Sequence, residues 1–238
     1  MAAGAQKTFV LVHGAWHGGW CWHRVADLLT AKGHKVYRPT LTGLGDRSHL
    51  MSTSIGLSTH VTDIVNLIKW EDLRDVVLCG HSYAGFVISG VAEQVQLAIA
   101  SIVFLDAFVP ENGQCLVELT APATREVIEA ARQKGDSAVP PRPAEAFKVN
   151  EMDRAWVDAM CTPHPLATML DKIALTGARD RIAKKAYARA KLYPNPSFDA
   201  AHEMLKSNPA WRVYELPCGH DVMVDMPERL AEILLEVA

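Results

Sequence analysis

The chain has 238 residues, 49% of them apolar, and a net charge of −3 at neutral pH. That is enough for one good-sized buried core, and the interspersed acidic and basic residues exclude the electrostatic footprint of a nucleic-acid binder or of a protein held on an anionic membrane. A small, fairly neutral molecule is the expected partner, with a homodimer left open. Met1–Lys7 is short and polar and lacks the regions of a secretory signal, and no other stretch has the length of a bilayer span. Cys21, Cys79, Cys115, Cys161 and Cys218 are odd in number and scattered without a Cys-x-x-Cys pair, which predicts reduced thiols in the cytoplasm.

Thr8–Val12 is a β-branched apolar run ending at His13-Gly14, and Lys35–Pro39, Asp75–Cys79 and Ser101–Leu105 repeat that character. Such runs read as strands buried on both faces, as in a parallel sheet. Trp20–Lys32 places Trp22, Val25, Leu28 and Leu29 at helical spacing before a Gly33 stop, and Ser58–Trp70 carries a second stripe of Val61, Ile64, Val65 and Ile68. The alternation predicts an α/β class fold, a doubly wound, mostly parallel sheet of about six strands with right-handed crossovers. From Glu111 to about Arg181 the pattern is helical but broken by Pro140-Pro141-Arg142-Pro143 and Thr162-Pro163-His164-Pro165, which reads as an inserted helical cap. The expected division is a core of residues 1–110 and 182–238 with a lid of 111–181. Strand character returns at Ala186–Ala190 and Trp211–Leu216, and Pro227–Val237 closes the chain as an amphipathic helix. No internal repeat or low-complexity tract is present.

Val76–Val87 runs from an apolar strand through the small-residue turn Gly80-His81-Ser82-Tyr83-Ala84-Gly85 into an apolar helical start. In that context a Gly-x-Ser-x-Gly pattern is a nucleophile elbow: the turn must be sharp, its flanks must be small, and Ser82 stands at its tip with Oγ at a helix N-terminus. The pattern departs at Ala84, with Gly85 following. The bland alternative is that Ser82 merely caps the helix.

A nucleophilic serine needs a base, and His220 lies just past an apolar strand in Pro217-Cys218-Gly219-His220, at the sheet edge where open α/β folds bind ligands. His34, His60, His164 and His202 are expected to be solvated on surface helices or loops, and His81 to pack beside the nucleophile. The oxyanion formed on attack needs preorganised donors, expected from the backbone amides of Tyr83 and Ala15. A metal site from His13, His17 and His23 is the rival reading, disfavoured because no carboxylate ligand is near them in the sequence. Trp16 and Phe108, like Tyr83, adjoin these elements and are candidates for the substrate-pocket wall, although aromatics there are as often ordinary core.

The run Phe9–Trp22, the elbow Gly80–Gly85 and the terminal Gly219-His220 resemble the α/β-hydrolase esterases, above all bacterial small esterases and the plant methyl-ester hydrolases and hydroxynitrile lyases. The resemblance spans nearly the whole chain, the cap only loosely. It implies a cofactor-free hydrolase, with no metal, and a Ser–His–acid triad beneath a helical lid. The lyase branch carries threonine after the first histidine and lysine after the last; here Gly14 and Asp221 stand there, which disfavours lyase activity. In many relatives the acid follows the strand that is Ala186–Ala190 here, yet no carboxylate occurs until Asp199. Other members, haloalkane dehalogenases among them, place it after the strand that follows the nucleophile helix, where Asp106 stands. Asp106 is favoured over Asp199, with Asp180 third; its bland role is to cap the turn into the lid. The expected activity is a serine esterase acting through an acyl-enzyme, against a non-hydrolytic receptor or an acyltransferase on the same scaffold.

Overall fold

A computed structural model describes residues 5–238; residues 1–4, the beginning of the polar lead Met1–Lys7, lie outside the described residues. In chain order the first half consists of β1 (Thr8–Val12), α1 (His23–Ala31), β2 (Lys35–Tyr37), α2 (Leu57–Trp70), β3 (Val76–His81), α3 (Ala84–Val95) and β4 (Ile99–Leu105). Between β4 and the next sheet strand come α4 (Leu116–Leu119), α5 (Pro122–Lys134), β5 (Ala138–Val139), α6 (Glu151–Met160), β6 (His164–Pro165) and α7 (Ala167–Leu170). The chain ends with β7 (Lys184–Ala190), α8 (Pro196–Lys206), β8 (Trp211–Leu216), α9 (Val222–Asp225) and α10 (Pro227–Glu236).

Six strands form one sheet in the order β2-β1-β3-β4-β7-β8, and every neighbouring pair is parallel. Successive residues of a strand face opposite sides, so the unbroken burial of β3 means that both faces of the sheet centre are covered. Helix α1 packs on α10 and α2 on α3. The expectation of burial on both faces fails at the β2 edge, which is only partly buried because an edge strand has one neighbour and the sheet thins there; β8, at the other edge, is likewise mostly part-buried.

Other departures from the sequence reading have local causes. The expected helix Trp20–Lys32 is a 3₁₀ turn over Gly19–Trp22 followed by α1, and β2 stops at Tyr37, short of Pro39. Strand β7 begins two residues earlier than its apolar run, with Lys184 and Lys185 paired to Ser101 and Ile102 of β4, and the Lys185 ammonium donates to the carbonyls of Asp180 and Ile182 at 3.0 and 2.7 Å. A helical turn, α9, separates His220 from the final helix. The segment between β4 and β7 is not purely helical: β5 and β6 pair antiparallel, Ala138 with Pro165 and Val139 with His164. These strands flank or include the two proline clusters, so the residues that break the helices also hold the chain extended.

The most restrictive packing lies where α3 starts. A Cβ added at Gly85 would collide with the carbonyl oxygen of Phe108, in the segment leaving β4. Position 84 holds a fully buried alanine without conflict, so the close approach falls on Gly85, one residue beyond the second glycine of the usual pattern. Gly85→Ala should therefore lower unfolding stability by at least about 2 kcal/mol, measured by urea denaturation, because backbone rather than a flexible side chain must move. A near-neutral effect would show that the start of α3 can shift away from β4.

Candidate active site

The elbow follows from these elements. Strand β3 ends at His81, Ser82 has φ +55°, and α3 begins two residues later. A non-glycine residue in that region costs on the order of 1–2 kcal/mol, and persists only when its surroundings hold it. Ser82 is held on both sides: its N–H donates to the Leu105 carbonyl at 3.2 Å, and its own carbonyl accepts from Gly85 and Phe108 at 3.1 and 3.2 Å.

Three side chains from distant parts of the chain meet here. His220 Nε2 lies 2.9 Å from Ser82 Oγ, and its Nδ1 lies 2.7 Å from Asp106 Oδ2. The carboxylate can only accept, so Nδ1 carries the proton and Nε2 is free to accept from the Ser82 hydroxyl. The structure thus joins His220 to Asp106 rather than to either alternative acid. Asp106, itself at φ +41°, is fully buried, and its Oδ1 accepts from Arg189 at 2.7 Å and from the Ala190 amide at 3.0 Å. Asp199 instead pairs with the far side of the Arg189 guanidinium at 2.9 Å, and Asp180 is exposed on a 3₁₀ turn. Tyr193 stacks on the His220 ring with centroids 4.4 Å apart, and Phe198 lies nearly parallel to it at 5.6 Å.

Ala15 and Trp16 follow β1 on a loop beside Ser82, and Ala15, Trp16, Ser82, Tyr83 and Phe108 all border one cavity of about 300 Å3. Among the described residues neither the Ala15 nor the Tyr83 amide has a protein acceptor. The loop is pinned by imidazoles. His164 Nδ1 accepts from the Trp16 amide at 3.3 Å, and His60 Nδ1 lies 2.9 Å from the Tyr83 hydroxyl while its Nε2 donates to the Thr42 carbonyl at 2.9 Å.

His60, His164 and His202 are buried, against the expectation that they are solvated. His60 could have been found from the sequence, since it falls on the same face of α2 as Leu57 and Ile64. His164 could not, because its burial comes from β5, where it pairs with Val139, and from the Trp16 loop. Burial lowers His60 to about 4 and pushes His164 well down, so both are neutral hydrogen-bonding groups near pH 7. His81 packs as expected, its Nε2 donating to the His220 carbonyl at 3.0 Å.

The histidines of the rival metal reading are dispersed. His13, lowered to about 3 by burial, accepts from the Leu41 amide at 3.0 Å, His23 is exposed, and no metal-holding cluster occurs among the described residues. His17 does have a carboxylate beside it, contrary to expectation, because the fold brings Asp221 to 2.9 Å from its Nε2. Its Nδ1 lies 2.8 Å from the Ala15 carbonyl. Both partners can only accept, so His17 carries two protons and forms a buried ion pair with Asp221. Burial alone would lower His17, but the Asp221 charge outweighs it and raises the imidazole; burial would likewise raise Asp221, and His17 above all holds it down. The pair ties the Ala15 loop to the turn bearing His220. Arg189, His17, Asp221, Tyr193 and His164 are the supporting residues that sequence reasoning missed.

The cavity wall joins Trp16 and Phe108 to Ile128, Phe147, Tyr193 and Phe198, drawing on both the sheet framework and the segment between β4 and β7. The His220 amide also donates to the Phe147 carbonyl at 2.8 Å. Among the described residues no helix is long and apolar enough to cross a membrane.

Residues 9–233 match the alpha/beta hydrolase family. A carbendazim hydrolyzing esterase of Nocardioides sp. (strain SG-4G) is 43% identical over 96% of this chain and 98% of its own length. A putative chloroplastic methylesterase of Arabidopsis thaliana, number 11, is 26% identical over 97% of this chain and 63% of that protein. An extracellular alpha/beta-hydrolase from a Paenibacillus species, described as sharing structural and functional homology with tobacco salicylic acid binding protein 2, superposes with a TM-score of 0.85 at 25% identity, covering 98% of this chain and 99% of that one.

The His17–Asp221 pair gives stability a defined pH dependence. The raised imidazole contributes fully below its unfolded value of about 6.5 and loses that contribution as pH rises through its higher folded value. The depressed carboxyl contributes above its unfolded value of about 3.9 and loses that contribution as pH falls through its lower folded value. Asp221→Asn should therefore cost about 3 kcal/mol in urea unfolding near pH 6, shrinking toward alkaline pH. A deficit that stays constant as pH rises would show that His17 is not charged.

Proposed function

The chain belongs to the alpha/beta hydrolase family and is a hydrolase of the esterase kind, and from that premise we propose that it is a serine esterase working through an acyl-enzyme on a small, largely apolar carboxylic ester or a related carbamate or amide. The observation that carries this is the unbroken hydrogen-bonded line from Ser82 Oγ through His220 to Asp106, ending at the cavity. In this reading Ser82 Oγ attacks the carbonyl carbon while His220 Nε2 takes its proton, and Asp106 stabilises the imidazolium. The negative oxygen of the tetrahedral intermediate is met by the Ala15 and Tyr83 amides, whose lack of protein acceptors supports the assignment. Collapse expels the alcohol, protonated by His220. Water then repeats the attack on the acyl-Ser82 carbonyl, giving its proton to His220, and the acid leaves as Ser82 regains a proton.

Every group this sequence needs is an amino acid, so the reading requires no cofactor. Segment 111–181 is the lid, and Trp16 and Phe108 contact the substrate. The carbamate option draws support from the Nocardioides relative, named for hydrolysing carbendazim. Gly14 supports hydrolysis over lyase chemistry, since a Cβ there would lie 2.9 Å from Ser82 Cβ and from His81 Nδ1. The five cysteines, all free, support a reducing cytoplasmic setting.

Ser82→Ala should abolish hydrolysis of a chromogenic acetate while the protein stays folded by circular dichroism, and a fluorophosphonate should label Ser82 far more slowly in His220→Ala. Substantial turnover by folded Ser82→Ala would overturn the reading in favour of a different nucleophile. Turnover without a pre-steady-state burst at any substrate level, joined to no labelling, would favour a receptor that hydrolyses slowly. Asp106→Asn should lower kcat by on the order of 10⁴, the size seen when the aspartate of a serine-protease triad is amidated. Asp199→Asn removes a half-exposed partner of Arg189 and should cost no more than about tenfold. Equal losses in the two variants would show that the histidine is not oriented by Asp106.

A further inference from the structure

The lid contributes a cation that the proposed mechanism does not use. Arg142 stands in Pro140-Pro141-Arg142-Pro143, where three fixed φ angles and the restriction on the residue before a proline leave its backbone little freedom. Its half-buried side chain borders the same cavity as Ser82 and His220. The guanidinium carbon lies 5.5 Å from the Phe147 ring centre, and one nitrogen makes a long 3.4 Å contact to Thr124 Oγ1. Among the described residues no ion pair to Arg142 occurs, and Glu145, three residues on, pairs with Arg154 at 3.3 Å. Among the described residues the cavity wall includes two cations, Arg142 and the exposed Lys148, and no carboxylate. Tyr193 beside them stays protonated because burial pushes its phenol up, although Arg142 and Asn195 both approach it, and Asn195 spends its side-chain oxygen on capping α8.

A guanidinium partly withdrawn from water without a counter-charge is in an unfavourable position that a ligand anion would relieve, and its planar fork suits a carboxylate in a bidentate pairing. We propose that the ester accepted here has an apolar body and carries a carboxylate away from the scissile bond, with Arg142 as its counter-charge. This rests on the esterase reading and adds the charge class of the substrate to it. Lys148, being exposed, contributes only screened attraction toward the cavity mouth.

The test compares matched pairs of chromogenic or phenolic esters. In one pair the charge is on the acyl side (para-nitrophenyl hemiglutarate against para-nitrophenyl pentanoate), and in the other on the alcohol side (para-carboxyphenyl acetate against its methyl ester). In at least one pair the anionic-to-neutral ratio of kcat/KM should fall about tenfold in Arg142→Met, mainly through KM, and be partly retained in Arg142→Lys. Rates on the neutral esters should change by less than about twofold, which separates loss of charge recognition from loss of the fold. Unchanged ratios in both pairs would overturn the proposal while leaving the esterase reading intact. Failure of the wild-type protein to hydrolyse any of the four esters would overturn the esterase reading instead. Calorimetric binding of glutarate and para-hydroxybenzoate would then decide the role of Arg142 by itself: weaker binding in Arg142→Met supports it, and equal affinity in the two proteins overturns it.

Discussion

The whole site depends on how closely the chain leaving β3 is bound to the chain leaving β4. Ser82 donates to Leu105, accepts from Phe108, and sits three residues before a glycine whose missing side chain lets the Phe108 carbonyl approach. These contacts hold Ser82 at its left-handed φ, and the same contacts fix where the β4 strand end turns. Asp106 lies in that turn, also with positive φ, and its amide donates to Ala188 on β7 at 2.7 Å. One backbone knot thus sets the positions of the serine and the acid together, and the histidine needs only to be delivered between them.

Delivery of the histidine is an electrostatic and packing problem with a different solution. The turn after β8 is held by Gly219 packed against the Lys148 carbonyl and donating to Asp225, and His220 is located by what surrounds it: Tyr193 and Phe198 against the ring, Phe147 on its amide, Asp106 on Nδ1. Its neighbour Asp221 reaches the other way, to His17, so adjacent residues hold the acid and the amide-donor loop at once. Arg189 answers the buried negative charge of Asp106 from behind. The buried Asp106 carboxylate has Arg189, the Ala190 amide and His220 within hydrogen-bond distance, whereas Asp221 has the His17 imidazolium on Oδ2 and, among the described residues, no hydrogen-bond partner on Oδ1, so its burial rests on that one ion pair.

What was legible in the sequence is what short-range pattern can encode. The apolar runs at β1, β3 and β4 are buried on both faces and read correctly, and the elbow was recognisable because strand, small-residue turn and helix follow one another within twelve residues, Val76–Val87. The approach of Asp106 to His220 was readable for a similar reason: Asp106 follows β4, which comes after β3 in order and lies beside it. The burial of His164 was not readable, nor the pairing of His17 with a carboxylate 204 positions later, since both arise from contacts between segments with no local signature. The β5–β6 ribbon was missed because prolines announce a break in a helix without saying what the released residues pair with. The exposed edge at β2 was missed because an apolar run carries no mark of how many neighbours its strand will have.

The placement of the acid also divides the molecule unevenly. With Asp106 at the end of β4, the serine, the carboxylate and both expected oxyanion amides lie ahead of residue 111, and His220 alone comes after residue 181. Had the carboxylate followed β7, the stretches before and after the segment between β4 and β7 would each have held a pair of partners. As built, a chain opened between β4 and β7 would leave Ser82 and Asp106 on one fragment and His220 on the other. Neither fragment contains the serine–histidine contact, so reassembly of β4 against β7 across the sheet is the single event that would create it. In the language of split reporters, this fold has its natural seam between β4 and β7, and the side chain that completes the hydrogen-bonded line is the last one the chain supplies.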